Sequence, residues 1–520
     1  MENFDEKQPS TPRNSGNNKK NTPKKSLDQY LMPIGIGLIC VLLIACIAVA
    51  YNNGLFGSND PTAPVTEPPT DGPTDGPTDA PTDPMPEINA AAEKLIAEAD
   101  FLAAGYDYDK AIHLLQSFEY ADKVPSIAAK ISQYQADKAK CSRYTKMNTI
   151  THIFFHPLIV ETDRAFGKGA NLPDSMNKEM TTVEEFKFIL QSMYDRGYVL
   201  VTPYQVAYEV TDSNGKTKFV EGDIYLPAGK TPFLMSQDDV NYYGKWIADA
   251  KKRPGESEED GVNNIPIFAN ANGDGVASRI VIGADGKPTC EYVDRNGNTL
   301  VGEYDLVPIL EAFIQEHPDF AYQGARAVLG VTGLQGVLGY RTKPGYAKNM
   351  SVEAYQKEID DAKAVSQCLR DNGWIIASHS YSHLAYGGLT VNGVKNDEKT
   401  FHETVASIVG DCDIILYPNG SDIAQWYEKY TEDNGKFKVL YEAGYRYFFN
   451  VDGSDYWVQL GDNYYRGGRR NVDAYRMWNN PKMLDDLMDI KTIQYYDKNG
   501  KLVEKQVSAA WDESRPAPSN

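Results

Sequence analysis

Short apolar runs alternate with helical stretches along residues 146–520. Runs typical of buried strands occur at residues 150–155, 198–201, 233–236, 327–331, 374–378, 414–417 and 447–450. Apolar residues recur every three or four positions, as in amphipathic helices, at residues 183–196, 203–210, 305–317 and 354–372. Strands that alternate with helices predict an α/β domain built on a parallel sheet or barrel.

One segment of this domain, residues 241–303, breaks the alternation and is rich in Gly, Asn and Asp. Residues 278–287 have the pattern of a β-hairpin, and the turn residues at 295–298 predict a second one. We therefore interpret residues 241–303 as an insertion that shapes one rim of the domain.

Residues 88–145 have a helical pattern instead, with apolar residues at Ala92, Leu95, Ile96, Ala99 and Leu102. The run 102–111 resembles the turn of a tetratricopeptide-type helix pair. One such pair cannot bury its own apolar face, so we expect a small helical hairpin that packs on the next domain. A peptide-binding role is the alternative interpretation.

The N-terminal residues predict a membrane anchor followed by a spacer. Residues 1–30 are polar and form a predicted disordered cytoplasmic tail, while residues 31–51 begin with twenty uncharged residues, enough for a transmembrane helix. Lysines just before this run place the rest of the chain outside. Residues 52–87, rich in Pro, Thr and Asp, predict an extended linker. A cleaved signal peptide, or a lipoprotein cleavage box ending at Cys46, is the alternative.

Composition narrows the classes of partner. The net charge of -20 argues against a nucleic-acid partner, because no basic patch is available to neutralise phosphates. The 34 tyrosines suit a surface that handles sugars, although β-rich extracellular proteins also contain many. The six cysteines form no Cys-x-x-Cys pair, which argues against a cysteine metal site and leaves disulfides and oligomeric state open.

Candidate chemistry lies just after two of the predicted strands. His379 and His383 stand four residues apart after the strand at 374–378, and Asp238 and Asp239 follow the strand at 233–236. The histidine spacing alone is compatible with coincidence. Two imidazoles and a carboxylate at strand ends, however, form a typical open zinc site with positions left for water and substrate.

These residues resemble the motifs of NodB-type polysaccharide deacetylases, carbohydrate esterase family 4. Three motifs occur in the family's order, over about residues 148–476 without the insertion: Ser236-Gln237-Asp238-Asp239-Val240, His379-Ser380-Tyr381-Ser382-His383 and Leu416-Tyr417-Pro418-Asn419-Gly420. Gln237 and Val240 depart from the family's usual Phe and Gly. The resemblance implies a distorted (β/α) barrel.

The resemblance also implies roles for individual residues. Asp239, His379 and His383 would bind one divalent metal, most plausibly Zn²⁺, and Asp238 would be the general base. The backbone N–H of Tyr417 would contribute to an oxyanion hole.

The general acid is harder to identify, because the chain has no histidine after His402. The circularly permuted branch that resembles poly-N-acetylglucosamine deacetylases carries its acid on the first strand, which implies His156. A structural role for His156 is the alternative, and we interpret His152 as an ordinary residue. Residues 466–472 contain three arginines; a solvated basic face is the simpler interpretation, and an arginine that orients Asp238 is the other.

The sequence thus predicts a bacterial, Gram-positive-like, single-pass membrane protein whose outward domain removes N-acetyl groups from a cell-envelope or extracellular polysaccharide of the N-acetylglucosamine type. An O-acetyl esterase acting on xylan or a similar glycan is one alternative, because ester and amide hydrolysis need the same site. A catalytically inactive glycan-binding protein is another. A zinc peptidase is disfavoured, because the histidine pair lacks the glutamate of His-Glu-x-x-His.

Overall fold

The computed structural model describes residues 84–167, 173–243, 275–451 and 456–518. The helices are α1 Met85–Ala104, α2 Tyr108–Gln116, α3 Pro125–Lys138, α4 Thr162–Phe166, α5 Pro173–Glu179, α6 Val183–Asp195, α7 Pro203–Val206, α8 Leu306–Glu316, α9 Val352–Asp371, α10 Val391–Phe401, α11 Ser407–Val409, α12 Gly435–Glu442 and α13 Ala474–Asn479. A turn of π-helix, His402–Ala406, joins α10 to α11.

The strands are β1 Ser142–Arg143, β2 His152–Phe155, β3 Tyr198–Leu200, β4 Ala207–Thr211, β5 Thr217–Glu221, β6 Tyr225–Leu226, β7 Thr231–Gln237, β8 Arg279–Ile282, β9 Pro288–Val293, β10 Thr299–Gly302, β11 Val328–Val331, β12 Ile375–Ser378, β13 Ile414–Leu416, β14 Tyr447–Val451, β15 Val458–Leu460, β16 Tyr465–Asn471, β17 Ile490–Tyr496 and β18 Leu502–Ser508.

Seven parallel strands close into a barrel. Their order around the ring is β2, β7, β11, β12, β13, β14 and β16, and β16 pairs again with β2. Strand β7 carries two neighbours on one side, since its first residues pair with the short β3 and its last two pair with β11. Because all seven strands run the same way, their carboxyl ends meet at one face of the barrel. The predicted distorted (β/α) barrel agrees with this architecture.

Alternate residues of each strand pack into two different apolar clusters. Leu234, Val328, Ala377, Leu416 and Phe449 belong to the cluster that fills the barrel. Their neighbours along the strands belong to a larger cluster shared with the surrounding helices: Phe233, Met235, Leu329, Ile376, Ile415 and Phe448. Side chains of a strand point alternately to its two faces. Because both faces of these strands are buried, their sequences are unbroken apolar runs.

The predicted hairpins of the insertion are present. β8 pairs with β9 around Gly286, and β9 pairs with β10 around Gly297, in both cases antiparallel. Both glycines have a positive φ, which a tight turn requires and which glycine adopts without strain. The remainder of the predicted insertion, residues 244–274, lies outside the described residues.

The N-terminal helices form a small unit of three rather than two. α1, α2 and α3 share a core that is rich in alanine and includes Ala99, Ala111 and Leu115. The turn between α1 and α2 contacts the barrel, because the Tyr106 hydroxyl donates to the Asp319 carbonyl at 3.0 Å. Tyr106 also joins the apolar cluster that fills the barrel, so this turn covers the end opposite the carboxyl ends of the strands.

Two element predictions are wrong in part. The predicted helix at 203–210 ends at Val206, and the chain continues as strand β4, which pairs with β5. Strand β16 was not predicted, because three arginines and two glycines hide its period of two. Among the described residues, no helix combines the length and apolar character needed to span a bilayer, and the predicted span at residues 31–51 lies outside them.

Candidate metal centre

The carboxyl ends of neighbouring strands bring the predicted site residues to one place. Asp238 follows β7, and its N–H donates to the Phe155 carbonyl at the end of β2. His379 follows β12, and its N–H donates to the Val331 carbonyl at the end of β11. The parallel ladder therefore continues one residue beyond each strand and fixes where both side chains begin.

Asp239, His379 and His383 converge. One possible ligand atom from each residue lies within 4.8 Å of those of the other two. Asp239 and His379 are buried, whereas the side chain of His383 is 28% exposed, so the group lies at the barrel mouth and is reachable from solvent. The structure brings together the three residues that the resemblance implies as metal ligands.

The backbone at two of these residues is in the left-handed region, with φ of 58° at Asp239 and 52° at His383. That region costs a non-glycine residue on the order of 1 to 2 kcal/mol, so the surrounding structure must hold it. Beyond Asp239, the Val240 N–H donates to the Gly330 carbonyl, and the Asn241 side chain exchanges hydrogen bonds with the backbone of Thr332. These bonds hold the turn at residues 238–241 against the end of β11.

The partners of the three residues suit a metal site. The Nδ1–H of His379 donates to the Leu416 carbonyl at 2.7 Å, which leaves its Nε2 as the ligand atom. The Tyr243 hydroxyl donates to Asp239 Oδ1 at 2.7 Å. Burial lowers the pKa of His379, although Asp238 and Asp239 oppose this, and a neutral imidazole is the form that binds a metal.

Asp238 has a different partner, Arg469 of β16. The two Nη atoms of Arg469 donate to the two carboxylate oxygens of Asp238 at 2.5 and 2.8 Å, and both side chains are buried. Burial alone raises the pKa of Asp238, but Arg469 and His379 outweigh it and hold the pKa well below its usual range. Asp238 is therefore a charged carboxylate beside the three metal-ligand candidates, with its Oδ2 3.8 Å from His379 Nε2.

The basic segment of residues 466–472 is not a solvated face, and that interpretation is wrong. Arg466, Arg469 and Arg470 are all 0–1% exposed. Arg469 is directed into the barrel, while Arg466 pairs with Asp422 and Arg470 pairs with Asp486 outside it. The alternative interpretation, in which one arginine orients Asp238, agrees with the structure.

His156 follows β2 at the same end of the barrel and is partly exposed. Its Nδ1 lies 3.0 Å from the Glu179 carbonyl, so Nδ1 donates there and Nε2 is left for other partners. His156 is one of the groups that lower the pKa of Asp238, and it opposes the rise that burial causes in the pKa of Asp473, which places it within electrostatic reach of the base candidate. His152, in contrast, is buried inside the barrel with Nε2 2.9 Å from Ser236 Oγ, and burial holds its pKa well below the ordinary value.

The expected role of the Tyr417 backbone is contradicted. Its N–H donates to the Phe449 carbonyl at 2.8 Å as part of the pairing between β13 and β14. A donor already used within the sheet does not face a substrate. The Tyr417 side chain is buried and meets the Tyr430 hydroxyl at 3.0 Å, so this residue supports the fold.

Helix α10 supports the turn that carries the two histidines. The Asp397 carboxylate accepts the N–H groups of Tyr381 and Ser382 at 2.7 and 3.1 Å. The buried Tyr386 hydroxyl joins Asp397 to Glu398. Burial, with a smaller contribution from Asp397, raises the pKa of Glu398 to about 7, although its hydrogen-bond partners lower it.

Sequence reasoning did not single out Tyr243, Gly330 or the helix α10 carboxylates. Gly330 is close to the base, since a Cβ there would lie 3.4 Å from Asp238 Oδ1 and 3.0 Å from Leu416 Cδ1. Tyr243 could have been identified from the sequence as a candidate partner of Asp239, because it lies only four residues after it. Nothing along the sequence links Asp397 to the histidine turn.

Comparison with known proteins gives matches among solved structures. No protein-family model matches the chain, and no curated protein matches it. Among solved structures, the chain is similar to a Streptococcus pyogenes deacetylase, PplD, in complex with acetate, at 14% sequence identity and a TM-score of 0.32. The match covers 63% of this chain and 93% of the other.

Proposed function

We propose that this chain is a metal-dependent hydrolase that removes N-acetyl groups from a polysaccharide of the N-acetylglucosamine type. The observation that carries the proposal is the convergence of Asp239, His379 and His383 within 4.8 Å, beside an Asp238 carboxylate paired with Arg469. The motif resemblance supports the same activity.

The donor set fits a divalent metal, most plausibly Zn²⁺. Two imidazoles and one carboxylate are a common open zinc set, and the hydrogen bonds from His379 to Leu416 and from Tyr243 to Asp239 leave one ligand atom free on each residue. When bound, the metal would polarise the acetyl carbonyl and acidify the attacking water.

Asp238 is placed to take the proton of that water. Its pairing with Arg469 keeps it ionised at every pH except strongly acidic ones, so its oxygens are always available as acceptors. The same pairing fixes the orientation of the carboxylate, because both Nη atoms contact it. Asp238 therefore acts as the base without competing for the position of Asp239.

His156 is our candidate for the acid. Its Nδ1 is engaged with the Glu179 carbonyl, so a protonated ring presents Nε2–H to the leaving amine. Attack of water on the acetyl carbonyl carbon forms the new C–O bond, and transfer of the His156 proton to the amide nitrogen lets the C–N bond break. This releases acetate and the free amine and returns the ring to its neutral form.

The experiment measures acetate release and metal content together, on the purified full chain. Substrates are an N-acetylglucosamine oligomer and acetylated xylan, and variants are Asp238→Asn, His156→Gln and His379→Ala. We expect acetate from the first substrate, about one metal ion per chain, loss of metal in His379→Ala, and retained metal with activity at least 100-fold lower in Asp238→Asn.

Other outcomes assign other functions. Acetate from xylan alone would assign an O-acetyl esterase. No acetate from either substrate, with oligosaccharide binding that survives Asp238→Asn, would assign an inactive glycan-binding protein.

We also propose that residues 31–51 anchor the chain in a cell membrane and that residues 52–87 hold the barrel outside it. Twenty uncharged residues preceded by lysines support the anchor and its orientation. Cell fractionation, with protease added to intact cells, tests both statements: the barrel should be membrane-bound and accessible from outside.

A further inference from the structure

A cleft lies at the opposite end of the barrel from the candidate metal centre. It has a volume of about 710 Å³ and lies between α2, α3 and the segments that precede β7 and β11. Tyr225 precedes β7 by a few residues, and Tyr322 precedes β11, so both belong to the face where the strands begin. The volume is within the range of ordinary ligand sites.

Tyrosines supply the walls of this cleft. Tyr106 and Tyr322 are buried and stacked, with ring centroids 6.1 Å apart, and the Tyr106 hydroxyl is held by the Asp319 carbonyl. Tyr225 stands at the opening and is 48% exposed. A fixed pair of rings behind an exposed ring gives a preformed surface, so little ordering is needed when a ligand binds.

The charged groups of the cleft are balanced by opposite charges. Asp109 contacts Lys138 at 2.5 Å, and Asp223 contacts Arg143, beside the cleft, at 2.7 Å. Because these pairs cancel the charge of the cleft, it offers no net charge that would select an ionic ligand. The cleft therefore favours an uncharged partner.

Uncommitted polar groups remain for such a partner. Among the described residues, the side-chain amides of Gln135 and Gln323 and the Tyr225 hydroxyl make no hydrogen bond with protein groups. Amides and hydroxyls beside aromatic rings match a pyranose, whose C–H face packs on a ring while its hydroxyls take hydrogen bonds.

We propose that this cleft is a second saccharide site, which binds an uncharged stretch of polysaccharide away from the reacting sugar. The inference rests on the proposed function for its choice of polymer, but its geometry is separate. β7 connects the two faces, and its seven residues span about 23 Å, which is the least separation of the two sites, so only a chain long enough to pass around the outside of the barrel can contact both. Binding at two sites on one polymer strengthens the overall affinity.

The test uses the full chain with the metal centre disabled by His379→Ala and His383→Ala. Binding of N-acetylglucosamine, cello- and xylo-oligosaccharide hexamers is measured by titration calorimetry, with and without Tyr225→Ala and Gln135→Ala. We expect the disabled chain to bind at least one neutral hexamer, and the two cleft substitutions to weaken that binding at least tenfold. The hexamer that binds best identifies the polymer.

Tyr496→Ala is the matched control, because Tyr496 is 72% exposed on β17 and does not line the cleft. The cleft substitutions, placed in the otherwise unaltered chain, should leave acetate release from a disaccharide unchanged and lower it on a long polymer. Thermal unfolding checks that each variant is folded.

Three results would overturn the proposal. If no hexamer binds the disabled chain, a peptide becomes the better candidate for the cleft. The proposal also fails if binding survives the cleft substitutions, or if the Tyr496 control loses binding equally. Failure of the proposed function is distinguishable, because the disabled chain would still bind sugar while the unaltered chain released no acetate.

Discussion

The pairing of Asp238 with Arg469 is the most specific arrangement at the level of single residues. Two hydrogen bonds between buried charges join positions 231 residues apart. Each charge is tolerated in the interior because the other is present, and removing one partner of such a pair is costly. The pair therefore serves stability and chemistry together.

Arg469→Met should lower the free energy of unfolding by about 3 to 5 kcal/mol, because it leaves a buried carboxylate without its partner. Asp238 has a lowered pKa in the folded protein, so its pairing stabilises the fold above the ordinary carboxyl pKa and is lost as the pH falls through the lowered value. In the variant that pKa rises, and the acidic limb of the pH–rate profile should move to higher pH.

Denaturant unfolding and the pH dependence of acetate release measure these effects. Arg469→Lys keeps the charge but loses the two-pronged contact, so it should fold and give an intermediate shift. Arg466→Met is the control on the same strand. It should lower the free energy of unfolding, because Asp422 loses its partner, and it should leave the acidic limb of the pH–rate profile unchanged. A shift of equal size in Arg466→Met would contradict the assignment.

Tyr243→Phe tests the support of Asp239. The variant removes the hydroxyl that donates to Asp239 Oδ1, and loss of such a partner usually weakens metal affinity by about 10- to 100-fold. Competition with a chromogenic chelator measures the affinity. The neighbouring Tyr242→Phe removes a hydroxyl that contacts Asp305 instead and should leave metal affinity unchanged. Equal affinities in the two variants would show that Tyr243 does not position the ligand.

The candidate ligands were predictable, because each follows an unbroken apolar run and belongs to a contiguous motif. Arg469 was predictable only as one of two interpretations of its segment, because that segment looks solvated when its charges are counted without knowledge of what they face. Burial of an arginine depends on a carboxylate from a distant strand. The Tyr417 N–H failed for a similar reason, since its acceptor, Phe449, is fixed only by strand order.

At the level of elements, helix α10 supports the turn that carries His379 and His383. Its buried Asp397 and Glu398 lie side by side, and the Tyr386 hydroxyl contacts both. Burial disfavours the charged form of Glu398, and the neighbouring Asp397 adds a smaller contribution in the same direction, so the pKa of Glu398 is raised to about 7.

This raised pKa predicts a pH-dependent stability. A carboxyl that holds its proton more tightly in the folded state stabilises the fold below the ordinary pKa of 4.5, and the contribution is lost as the pH rises through about 7. Relative to Glu398→Gln, the unaltered chain should therefore lose about 3 kcal/mol between pH 4.5 and pH 7. Urea unfolding of both chains at several pH values measures the difference, and parallel curves would contradict it.

The elements with strong apolar periods were predictable, whereas others, including β5, α12 and the β17–β18 hairpin, were not. Strands and helices with strong apolar periods agree with the structure within a residue or two, and the hairpins of the insertion follow from their glycine turns. The helix predicted at 203–210 failed because its capping signals, Thr202 and Gln205, govern only one turn before the chain pairs with β5. β16 lacks the apolar side chains by which a buried strand is found.

At the level of the whole molecule, the barrel does not depend on a metal for its core. The apolar clusters run the length of the strands, and the candidate ligands occupy one end only. A ligand that binds only the folded state adds about 3 kcal/mol at a hundredfold excess over its dissociation constant. A metal bound at the candidate site would therefore matter less for folding than for the proposed activity.

Removal of metal by a chelator should abolish acetate release and leave the circular dichroism spectrum unchanged. The melting temperature should fall by only a few degrees, and added Zn²⁺ should restore activity. Calorimetry and the acetate assay check both outcomes. Activity that persists in excess chelator, or unfolding on chelation, would contradict a metal confined to the barrel mouth.

The closed ring could not be predicted from the alternation of strands and helices alone, because open sheets and barrels share it; only the motif resemblance implied a barrel. Closure depends on β16, the last strand of the ring, meeting β2, the first. That contact joins segments from the two ends of the domain, and local patterns carry no information about it.

This closure has a consequence for synthesis. Until β16 follows β14 out of the ribosome, the nascent sheet stays open, with unpaired edges at β2 and β14 that can pair with foreign strands. The same strand brings Arg469, the counter-charge of Asp238, so ring closure and this ion pair form together. The main apolar cluster also includes residues after β16, among them Trp478, Leu487 and Trp511. Chaperones should accordingly retain stalled chains whose emerged part ends before residue 465, and release should require the segment through residue 511 as well.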